Sequence, residues 1–154
     1  MDAIETALIP RALDLGALAV RRALPAPKRQ MVGPPLFFGR MGPPGFLPGR
    51  GPDVRPHPHI GLATASYHYR GRIHHRDSLG TDAGIEPGAV NWRVAGHGII
   101  HSERSDNAIQ TGPAPFFGVQ TWAALPKDHE DRPATFQHAA AANLPLLMGG
   151  KNCA

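Results

Sequence analysis

Every apolar run in this chain is short and closed off by glycine or proline, and the 18 glycines and 17 prolines recur between the runs without gathering in one tract. Glycine supplies turn conformations and proline interrupts both helices and ladder hydrogen bonds, so this punctuation restricts the chain to short elements joined by tight corners. The runs are Leu15–Val20, Pro35–Phe38, Ala63–Tyr69, Ala89–Val94 and Phe116–Trp122, and no window from Val32 to Leu125 carries a 3.6-residue apolar period. An antiparallel all-β sandwich or barrel is expected, in one domain, since 154 residues suffice for one hydrophobic core. Gly42 to Asp53 has too few apolar side chains for an element and reads as a long loop leading into His57. After Trp122 the chain turns polar and proline-bounded, so residues 131–154 read as a linker.

The charge pattern narrows the function classes. A net charge of +4 and a pI near 9.8 could attract nucleic acid, but the basic residues are scattered and a solvated surface is the reading adopted. The first thirty residues mix Asp2 and Glu5 with Arg11, Arg21 and Arg22 and hold no uninterrupted apolar segment, so neither a signal peptide nor a membrane span is expected. Cys153 is the single cysteine, which excludes an intramolecular disulfide and a thiolate cluster and suggests a reducing, cytoplasmic setting.

Two short segments carry the chemistry. Arg55 to Gly61 reads RPHPHIG and Gly96 to Arg104 reads GHGIIHSER. Side chains two apart on a strand share a face, so His57 pairs with His59 and His101 with Glu103, and two such strands facing each other can close four ligands around one ion. Three imidazoles and a carboxylate would leave two positions of an octahedral ion open, as a non-haem Fe(II) centre requires; Zn, Cu, Ni and Mn would also be accepted. Gly96 and Gly98 are expected to make a tight turn before His101. His74 and His75 are read as strand residues, one of them exposed, or as neighbours of the site; His68, His97, His129 and His138 as structural or solvated. Arg76 and Asp77 are expected to pair in the interior, Trp92 and Trp122 to lie in the core, and Phe37, Phe38 and Met41 to line either a pocket mouth or the barrel end.

The first segment fits the cupin motif G-x5-H-x-H-x4-acid-x6-G at Gly51, His57, His59 and Gly71, with Thr64 where cupins place a glutamate. The stretches VGPPLFFGRMGPPGFLPGRGPDVRPHPHIGLATASY, IHHRDSLGTDAGIEPGAVNW and AGHGIIHSER then resemble the pirin family in particular. That resemblance implies an all-β cupin fold, a double-stranded β-helix or jelly-roll barrel. Because pirins are bicupins, it also implies that residues 1–130 are the N-terminal cupin and 131–154 a linker with the start of an absent second one. It places the metal ligands on His57, His59, His101 and Glu103 and makes iron the first choice of metal. The chain departs from the family pattern at Gly39, where an aspartate is usual, at Arg70, where an acid is usual, and at Arg93-Val94, where Met-Thr is usual.

Some pirins have quercetin 2,3-dioxygenase activity, so the resemblance implies a flavonol-like substrate and dioxygen, with Glu103 as the base that accepts the flavonol hydroxyl proton. It equally implies a second class of function, an iron-dependent redox-sensing interaction protein or transcriptional co-regulator with a protein partner. A third reading is a truncated pirin that binds metal without activity. Loss of the second cupin would expose apolar surface and favour a homodimer.

Overall fold

The computed structural model describes residues 6–14, 19–42, 53–105 and 116–145. Within them the chain forms eleven strands: β1 (Arg11–Asp14), β2 (Ala19–Leu24), β3 (Pro35–Met41), β4 (Asp53–His59), β5 (Leu62–Arg70), β6 (Ile73–Asp77), β7 (Asp82–Ile85), β8 (Val90–Val94), β9 (Ile99–Ser105), β10 (Phe117–Ala124) and β11 (Thr135–Ala139). One sheet runs β1-β2-β3-β10-β5-β8-β11 and the other β4-β9-β6-β7. Every pairing is antiparallel. The described residues are almost entirely β, as the short apolar runs predict.

Between the sheets Val20, Met41, Ile73, Ile85, Ala89 and Phe116 form a buried core, with Phe37, Val54 and Phe136 packed against it. Ile85 and Ile99 are each 1% exposed. Burying a side chain of that size contributes roughly 2 kcal/mol, so these few residues anchor an interior whose other inward positions are largely polar. That polarity explains Trp92. On β8 the inward positions are Asn91 and Arg93, which puts Trp92 on the outer face at 39% exposure instead of in the core.

The turn before β9 depends on glycine. Gly96 has φ +52°, and a Cβ there would lie 1.8 Å from the carbonyl oxygen of Arg132. The same carbonyl accepts the backbone N–H of His97 at 3.0 Å, and the Gly96 carbonyl accepts that of Gly61 at 2.8 Å. No side chain fits this corner, which ties together the ends of both histidine strands.

The stretch after residue 130, linker-like in its polarity, contributes β11, which pairs with β8 from Thr135 opposite Val94 to Ala139 opposite Val90. Its TFQHA run is too short to show alternation, and the strand is held by this pairing, by His138 Nδ1 against Asn91 Oδ1 at 2.8 Å, and by inward packing of Phe136. Most of the Gly42 to Asp53 loop, the run at Leu15–Gly16–Ala17–Leu18, and Cys153 lie outside the described residues. No helix among the described residues is long and apolar enough to cross a membrane.

Candidate metal centre

β9 lies between β4 and β6, so its inward side chains meet histidines from both sides. His57 on β4 sits directly opposite His101, while on β6 Asp77 faces His101 and His75 faces Glu103. A register shift in β4 between Val54 and His57 sets the phase that turns His57 and His59 toward β9. Ring centroids are 4.2 Å apart for His57 and His101, 5.0 Å for His57 and His59, and 5.1 Å for His59 and His101.

The histidine nitrogens are arranged as ligands need to be. His57 Nδ1 donates to the carbonyl oxygen of Arg55 at 2.9 Å, which fixes the tautomer and leaves Nε2 with its lone pair free. His59 Nε2 and His101 Nε2 face each other at 3.1 Å. Burial pushes the His59 imidazole down to about 4, helped by the Arg93 guanidinium and His57. Burial, and then Arg93 and the neighbouring histidines, hold His101 well below the ordinary histidine range. Both rings are therefore neutral at pH 7, and donor atoms of His57, His59 and His101 lie within 4.8 Å of one another. Three lone-pair nitrogens converging in a desolvated pocket suit a transition-metal cation.

Glu103 stands apart from that triad. Its Oε1 lies 3.7 Å from His101 Nδ1, and it groups with His101 and with His75, not with His57 and His59. His101 Nδ1 is buried without a hydrogen-bond partner. His101 thus belongs to two overlapping donor groups, one with His57 and His59 and the other with His75 and Glu103.

Three further residues complete the site. His75 is 2% exposed, stacks on Phe136 at 4.4 Å and 10°, and donates from Nε2 to Asp77 Oδ2 at 3.0 Å. Asp77 is opposed by burial but held ionised below the usual carboxylate range by His75 and by the backbone of Thr81 and Leu79. Asp77 therefore serves His75, while Arg76, its expected partner, is exposed and bonds Asp82 at 2.8 Å. The sequence held a signal for this pair, because His75-x-Asp77 repeats the His-x-acid spacing of His101-x-Glu103. Arg93, 3% exposed, donates from Nη2 to Thr64 Oγ1 at 2.9 Å and feels Glu103 and Asp77 as countercharges. Thr64, at the position where cupins carry an acid, is thus a hydrogen-bond acceptor for a buried cation. His68 is buried and packs edge-on against Phe116 at 5.0 Å, a structural role.

A cavity of about 520 Å³ opens beside the histidines, with His57 and Glu103 in its lining. Phe37 and Trp122 stack at 4.3 Å and 21° along its wall, and Leu36, Met41 and Val54 add apolar surface. Trp122 also meets His59 edge-on at 5.2 Å. Of the three side chains expected at a pocket mouth, Phe37 and Met41 line the cavity, whereas Phe38 points away and is 41% exposed.

The depressed His59 value has a consequence for the metal-free protein. Above pH ~6.5 folded and unfolded states both carry a neutral ring; below it the unfolded chain takes up a proton that the folded one refuses until about 4. Stability should therefore fall between those limits, by roughly 3 kcal/mol from His59 alone, with His101 acting in the same direction. Urea midpoints measured in EDTA at pH 7.5, 6 and 5 check this, and a flat profile would mean that the rings are solvated in the folded state.

A family model described as Pirin matches residues 17–123. A pirin-like protein of Caulobacter vibrioides is 46% identical over 143 residues, which cover 91% of this chain and 49% of that protein. Among solved structures, a quercetin 2,3-dioxygenase from Acinetobacter baumannii superposes with a TM-score of 0.82 at 36% identity, covering 92% of this chain and 46% of the other. A bacterial pirin from Escherichia coli in complex with nickel(II) shares the fold with a TM-score of 0.68 at 18% identity, over 84% of this chain and 54% of its own. The chain spans about half the length of these relatives.

Proposed function

Since this chain belongs to the pirin family, we propose that it is a metal-dependent oxidoreductase of the quercetin 2,3-dioxygenase type, with His57, His59, His101 and Glu103 holding a divalent metal. The observation that carries the reading is the aromatic-walled cavity whose lining includes His57 and Glu103, where a flat substrate would meet the donor cluster. Iron is the metal proposed first, on family resemblance, and Mn, Ni, Cu or Zn would satisfy the same donors.

When bound, such a metal supplies a Lewis-acidic position for a substrate oxygen and a route for electrons to dioxygen. The chain's own contributions are separate. Phe37 and Trp122 offer a ring face along which a three-ring flavonol can lie, and the apolar wall excludes water from the reacting edge. Glu103 accepts the proton of the substrate's 3-hydroxyl. It has no hydrogen bond among the described residues and borders the cavity, so its carboxylate is available. His75, oriented by Asp77, faces Glu103 from the next strand and limits how far that carboxylate can withdraw.

Protein purified anaerobically and reconstituted with Fe(II) should consume dioxygen only when quercetin is present, with about one iron per chain. Iron bound at that level without quercetin-dependent uptake would overturn the dioxygenase reading and favour a metal-responsive interaction protein or an inactive cupin.

A further inference from the structure

The cavity wall also carries a cation, on a strand of the sheet opposite the one that holds the histidines. Arg22, on β2, lines it together with Pro25, and both residues also line an outer groove of about 320 Å³ that carries Arg11 and Lys28. Cross-strand geometry leaves Arg22 without a counter-charge. Its partner on β1 is Arg11, a like charge directly opposite, and its partner on β3 is Gly39, which has no side chain at all. Two guanidiniums facing across a ladder destabilise a sheet unless an anion relieves them. No carboxylate among the described residues lines the groove, and the cavity's one acid is Glu103, on β9 of the other sheet.

The other polar group in the cavity wall is already engaged. Gln120 donates from Nε2 to Ser66 Oγ at 3.0 Å and accepts from Trp122 Nε1 at 2.8 Å. Arg22 makes no hydrogen bond or ion pair among the described residues, and it is half-buried, so its charge is only partly screened. At Gly39, opposite Arg22, a Cβ would lie 2.8 Å from the Phe37 ring and 3.0 Å from Val20, so the ladder offers Arg22 no side-chain partner there.

Resting on the reading of the cavity as the substrate site, we propose that its ligand is a planar aromatic acid: an oxygen donor at the histidines, an apolar body along Phe37 and Trp122, and a carboxylate held by Arg22 on the opposite sheet. Guanidinium and carboxylate pair in a two-point geometry that fixes orientation as well as supplying attraction. Arg11 and Lys28 raise the local positive potential and steer the anion inward. Arg22 is thus a specificity-determining residue, and uncharged flavonols are incomplete ligands.

The test compares biphenyl-4-carboxylate with biphenyl-4-carboxamide, neither of which carries a metal-chelating hydroxyl, by calorimetry on the full chain loaded with Mn(II) and again after EDTA. The wild type should prefer the carboxylate about tenfold or more in both states. Arg22→Met should bring the ratio of the two affinities close to one, and Arg22→Lys should recover part of it. No preference in the wild type, a preference that survives in Arg22→Met, or one that disappears with EDTA and so belongs to the metal would each overturn the proposal. Because no turnover is needed, absence of quercetin-dependent oxygen uptake would leave this result standing, and a failure here would leave the dioxygenase reading standing.

Discussion

Replacing His101 with alanine or glutamine is expected to lower divalent-metal affinity by at least ~100-fold, the largest loss of any single substitution at the centre. Removing an outer partner of a metal ligand already costs on the order of 10–100-fold, and His101 stands at the junction of both donor sets. Its Nε2 faces His59 at 3.1 Å and its Nδ1 faces Glu103 at 3.7 Å. His101 is 2% exposed, so alanine also leaves a cavity, costing roughly 2–4 kcal/mol of stability. Glutamine keeps most of the volume and separates the two effects. Metal stoichiometry by atomic spectroscopy, beside urea unfolding of each variant, makes the measurement. A folded His101→Gln protein that retains one metal per chain would remove His101 from the ligand set.

Arg93→Met is expected to act in the opposite direction, raising divalent-metal affinity by tenfold or more. Arg93 places a buried positive charge where it lowers the proton affinity of both His59 and His101, and a divalent cation feels the same field with twice the charge. At an effective dielectric of about 20, a unit and a double positive charge within one site repel by on the order of a few kcal/mol before Glu103 and Asp77 compensate the repulsion. Methionine removes the charge, fills much of the volume and releases Glu103 from its countercharge. It also leaves the buried Thr64 hydroxyl without its donor, so the metal-free variant should be less stable than the wild type while the metal-loaded one gains. Competition calorimetry with Mn(II) reads the affinity. An unchanged constant would mean that Glu103 and Asp77 already neutralise the guanidinium at the donor cluster.

Much of this was legible in the residues. Four of the five apolar runs contain or overlap described strands, the fifth reaches into β2, and glycines with positive φ mark corners such as Gly61, Gly96 and Gly98. The spacing of His57 with His59 and of His101 with Glu103 put each pair on one face of a strand, and both strands belong to the same sheet. Trp92 was assigned inward because apolar side chains normally point to a core, but in this barrel the inward positions of β5 and β8 are taken by Thr64, Ser66, His68, Asn91 and Arg93. Arg76 adjoins Asp77 in the sequence, but neighbours on a strand point to opposite faces and the partner of Asp77 is His75. β11 escaped notice because a five-residue edge strand is held by its neighbour and not by its own pattern.

The sequence by itself determined the class of fold, the turns and which residues are candidate donors, because those follow from local backbone preferences and from a side-chain period of two. Only the tertiary structure decided how the donors are grouped. Cross-strand register sets His75 against Glu103, His57 against His101, and Arg22 between Arg11 and Gly39. Register between strands far apart in the chain is fixed by the packing of two sheets around a shared interior. Whether a charge such as Arg93 or Arg22 is neutralised, or left to act on a ligand, is settled by what that packing places opposite it.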